Sequence, residues 1–68
     1  MSIKKLVNDP VVWQGFLEEL DAWLEKEYKF LEQARDIVDI HKAQGSIKTL
    51  RKLKTLRDII NTRDKQNG

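Results

Sequence analysis

The chain has 68 residues, 40% of them hydrophobic, no cysteine, one histidine and a net charge of +2. That length allows one domain at most and is below the size at which a single apolar core is comfortable. Disulfides and thiolate metal sites are excluded, and His41 alone cannot build a structural zinc site, so helix packing and self-association remain as the sources of stability.

Residues 1–9 read as an N-terminal arm in which Ile3, Leu6 and Val7 are anchors. Two lysines followed by a short apolar scrap do not make a signal peptide, and no apolar run approaches the roughly 18 residues of a membrane span. Asp9-Pro10 is a helix start: Asp9 can accept from free first-turn amides, and proline at the first helical position loses nothing. From there Trp13, Phe16, Leu17, Leu20, Trp23, Leu24, Tyr28, Leu31 and Ala34 follow a three-four spacing. The stripe is broad, widened on one side by Phe30 and Trp23, as in a bundle helix touching two neighbours. Gly15 weakens this helix by up to about 1 kcal/mol and permits a close approach.

Two positions compete for the end of the first helix. Gly45-Ser46 offers a glycine stop followed by a cap. Residues 34–36 offer Asp36 as cap, with Asp39 near the positive end of the next helix. A turn at 34–36 gives two helices of similar length, about 10–33 and 37–62, and does not strand Ile37, Val38 and Ile40, so we place the turn there. Gly45 then sits inside the second helix, where Trp23 or Tyr28 is expected to approach its backbone. Residues 63–68 form a polar tail expected to fray.

Within the second helix, Ile47, Leu50, Leu53, Leu56 and Ile59 recur at every third position, with Ile60 adjacent. Each three-residue step advances about 300° on a helix, so the stripe drifts backwards by roughly 60° per step. One flat partner cannot cover it. The expected fold is all-α: an antiparallel two-helix hairpin with a short N-terminal arm, dimerising into a four-helix bundle. The competing explanation is that Ile3, Leu6 and Val7 fold back over Leu56, Ile59 and Ile60.

Charge is segregated. Residues 11–33 carry six acids against two lysines, whereas every charged side chain from Lys42 to Arg57 is basic. Complementary packing of the two helices explains this, with Lys54 and Arg57 placed to meet acids of the first helix. A cationic face of Lys48, Arg51 and Lys52 for nucleic-acid phosphates is the alternative. Trp13, Trp23, Leu53, Leu56 and Ile60 are the candidate protein-interface residues. No catalytic constellation is evident: the carboxylates lack a shaped cleft, His41 and the serines lack partners, and the three glycines are isolated. A non-enzymatic protein with no cofactor is expected.

The stretches MSIKKLVNDPVVWQGFLEELD, LEQA and AQGSIKTLRKLKTLRD resemble short helical proteins that tailed bacteriophages encode among virion and packaging genes. The resemblance implies an accessory role through protein–protein contacts in virion assembly or DNA packaging, in the host cytoplasm or the virion. It implies partners among phage or host proteins, including inhibition of a host protein, and carries over no site residues.

Overall fold

The computed structural model describes residues 2–67, with side-chain environments for 2–63. It is all-helical, with no strand among the described residues and four helices: α1 (Ile3–Asn8), α2 (Pro10–Gln33), α3 (Ile37–Lys54) and α4 (Leu56–Asn67).

Each start has a local cause. The Ser2 hydroxyl accepts from the Lys5 amide at 3.3 Å and opens α1. The Asp9 carboxylate accepts from the amides of Val11 and Val12 at 3.0 and 3.1 Å, with Pro10 at the first helical position of α2. Asp36 caps α3 by accepting from the Val38 amide at 3.0 Å, and Asp39 lies in the first turn. These oxygens satisfy amides that have no partner within the helix.

Two features depart from the sequence reading. The N-terminal arm is itself helical, because Ser2 supplies a cap and Val7 is fully buried. The helix expected over 37–62 is interrupted at Thr55, which adopts φ −97° and ψ 9°. Its amide and hydroxyl both donate to the Lys52 carbonyl, at 3.0 and 2.7 Å. Threonine thereby replaces a turn of α-helix with a tighter one. The helix resumes at once, with the Ile59 amide donating to the Thr55 carbonyl at 3.1 Å. Helix α4 runs through Asn67, within the tail expected to fray over 63–68, and Gly68 lies outside the described residues.

Packing is chiefly α2 against α3, with α1 resting on both α2 and α4. The core consists of Val7, Trp13, Leu20, Leu24, Ala43 and Ile47. Trp13 stacks obliquely on Phe16, ring centroids 5.5 Å apart. Asp21 meets Lys54 at 2.6 Å, while Tyr28 and Leu31 border Gln44 and Ile47. At the far end Asn8 and Asn61 exchange two side-chain hydrogen bonds of 3.0 Å each, tying α1 to α4. Asn8 also donates to the Lys4 carbonyl at 2.9 Å, which fixes its amide for that exchange.

Both internal glycines lack the expected close neighbours. A Cβ placed on Gly15 or Gly45 would meet nothing within 4 Å. Neither Trp23 nor Tyr28 uses Gly45 for a close approach.

Candidate functional site

The core takes up few of the large apolar side chains. Trp23 is 50% exposed, Tyr28 43%, Phe30 46%, Ile37 64% and Val38 54%. The two tryptophans therefore have different roles. Trp13 is 7% exposed and belongs to the core, so it is not available as an interface residue in the folded chain. Trp23 presents half of its surface to solvent.

Periodicity explains where the exposed residues collect. Positions four and seven apart lie on nearly the same side of a helix. Val12, Phe16, Trp23 and Phe30 accordingly form one flank of α2, with Phe16 half-buried and the other three exposed. Beside Trp23, a shallow groove continues onto α3 past Glu27, Lys42, Gly45, Ser46 and Leu50.

The other side of the α2–α3 seam is polar. Asp21, Leu24, Glu25 and Tyr28 of α2 face Lys48, Arg51, Lys52 and Lys54 of α3 across an open groove. The structure brings the three expected phosphate-binding residues, Lys48, Arg51 and Lys52, to one groove, and all are exposed. Lys54 is bonded to Asp21, with the two side chains 38% and 59% exposed. Arg57, the other expected partner for acids of α2, is exposed on α4. Glu25 pairs along its own helix with Lys29 at 3.7 Å, both on the surface.

Leu53, Leu56 and Ile60, the remaining candidate interface residues, are half-buried. Leu53 lies in the last turn of α3, while Leu56 and Ile60 lie on α4, the helix against which α1 rests. Part of the drifting stripe is thus covered inside the chain. The sequence shows Phe30 and Trp23 widening the apolar stripe on one side, but the sequence reading does not join them with Phe16 as a separate flank. Their spacing of seven was the signal.

No group of three metal-ligating side chains occurs among the described residues. Among the described residues, no helix is long and apolar enough to cross a membrane. The molecule so described is a small all-helical protein with an apolar flank and a basic groove on opposite sides of one helix pair. No protein-family model matches the chain, and neither a curated protein nor a solved structure matches it.

Proposed function

We propose that the chain is a non-enzymatic helical hairpin that works through protein–protein contacts and self-associates, as a homodimer, into a four-helix bundle. The observation that carries this reading is the half-exposed Trp23 between Phe16 and Phe30, on a helix whose adjoining face packs on α3. Aromatic side chains bring large contact areas, and contiguous exposed ones mark contact surfaces on small soluble domains. The contacts support the antiparallel hairpin, because Asp21 at mid-length of α2 meets Lys54 at the end of α3, while the later Tyr28 and Leu31 border the earlier Gln44 and Ile47. Sedimentation at micromolar concentration tests the proposal; a folded monomer with no tendency to associate refutes the dimer.

The setting we propose is that implied by the resemblance: an accessory of a tailed phage in virion assembly or DNA packaging. Affinity capture from infected cells tests it. Specific recovery of a capsid, portal or packaging protein supports that setting, and specific recovery of a host enzyme alone replaces it with host inhibition.

One observation favours a second reading. Lys48, Arg51 and Lys52 share an exposed groove, and a dimer would carry two such groups. Three cations neutralise few phosphates, so the binding would be modest, salt-sensitive and blind to sequence. Titration of DNA and RNA duplexes at low salt decides it, and absence of binding there eliminates this reading.

A further inference from the structure

The exposed flank of α2 has an order that repeats when read backwards. Phe16 stands seven residues before Trp23 and Phe30 seven after; Val12 stands eleven before and Ala34 eleven after. Ala34 is the residue at which α2 ends. We propose that this flank is the contact with a second copy of the chain, the two α2 helices lying antiparallel with the two-fold axis at Trp23. This inference rests on the self-association reading above and names its surface and geometry.

A two-fold axis requires a self-complementary patch. With α2 laid antiparallel on its copy, Trp23 meets Trp23, Phe16 meets Phe30, and Val12 meets Ala34. Each aromatic level is then filled from both sides, and the half-exposed rings lose their remaining water contact.

Charge is complementary in this register. Glu19 and Lys26 are seven residues apart, so they lie along the same edge of the flank. Both are exposed, and neither makes an ion pair among the described residues. A two-fold axis perpendicular to the helix pair leaves that edge on the same side in both copies. Glu19 is four residues before Trp23 and Lys26 three after, so Glu19 of one copy and Lys26 of the other differ in level by a single residue, about 1.5 Å. Two intermolecular pairs form. A parallel arrangement in register places that edge on opposite sides of the two copies, so neither Glu19–Lys26 pair can form. Glu27 shares the level of the opposing Glu19 but lies on the other edge, turned toward the groove that Lys42 borders.

Charge reversal tests the geometry without touching the core. Sedimentation of the parent, Glu19→Lys, Lys26→Glu and the double variant is measured at low salt, with circular dichroism to verify equal helix content. We expect each single reversal to raise the dimer dissociation constant by about tenfold, because two attractive pairs become two repulsive ones. The double variant should return to within about threefold of the parent, since its pairs are restored with exchanged signs. A parent dimer indifferent to all three changes refutes this face while leaving self-association standing. Single reversals that weaken the dimer without rescue in the double refute the antiparallel register. A parent that is monomeric throughout refutes the self-association reading itself, and this inference with it.

Discussion

Leu20 is the position at which a single change should be felt most. Its side chain is 1% exposed, in the α2 face that packs on α3. Truncation to alanine removes the buried branched end and leaves a cavity that neighbours refill only in part, a loss of about 3–5 kcal/mol for a fully buried leucine. The lower half of that range applies here, because the fold is one helix layer on another and its half-buried neighbours Phe16 and Leu17 have room to settle inward. Domains of this size have a total stability of roughly 3–10 kcal/mol. With a urea slope of about 1 kcal/mol/M for so small a chain, the midpoint should fall by about 3 M, or the helix signal should already be lost in buffer. Urea titration followed at 222 nm, the standard helix band, reads this directly. An unchanged midpoint with an unchanged slope would show that Leu20 is not packed as described and that α2 meets α3 through another face.

Other substitutions separate the remaining elements. Leu53→Ala should cost less than Leu20→Ala, about 1–2 kcal/mol, since Leu53 is only half-buried; melts at two protein concentrations show whether that loss depends on association. Gly45→Ala should stabilise by up to about 1 kcal/mol, because the position is helical and a Cβ there meets nothing within 4 Å; a higher melting temperature with unchanged helix content checks it. Asp36→Ala should cost about 1 kcal/mol through loss of the α3 cap, with Asp36→Asn recovering most of it in the same melts. Lys48→Ala should leave the melt within about 0.5 kcal/mol of the parent, as expected for a solvated lysine, and should weaken nucleic-acid binding if the basic groove performs it.

Helix starts were legible because they depend on local chemistry. Asp9-Pro10 and Asp36 advertise their caps in the sequence, and each carboxylate accepts from amides two or three residues on. The break at Thr55 was not legible. A threonine between Lys54 and Leu56 is compatible with continuous helix, and only the doubled donation to the Lys52 carbonyl distinguishes it. The helicity of the arm was hidden for a related reason: six residues make a poor helix alone, and α1 depends on the burial of Val7. Tertiary contact also separates the tryptophans. Both adjoin the same apolar stripe in sequence, yet Trp13 packs inside the chain beside Phe16 and Trp23 remains half outside. Basic residues divide in the same way: the pairing of Lys54 with Asp21 follows from charge segregation, whereas the shared groove of Lys48, Arg51 and Lys52 needs the placement of α2 alongside.

Trp23→Ala bears most directly on the proposal that the chain works by protein–protein contact. The substitution removes a half-exposed ring from the centre of the apolar flank and leaves the buried core untouched. Sedimentation of parent and variant across the micromolar range should give twice the 8.0 kDa chain mass for the parent and the single-chain mass for the variant, at equal helix content. A variant that remains dimeric with the affinity of the parent, or a parent that sediments at the single-chain mass at every concentration, would contradict it.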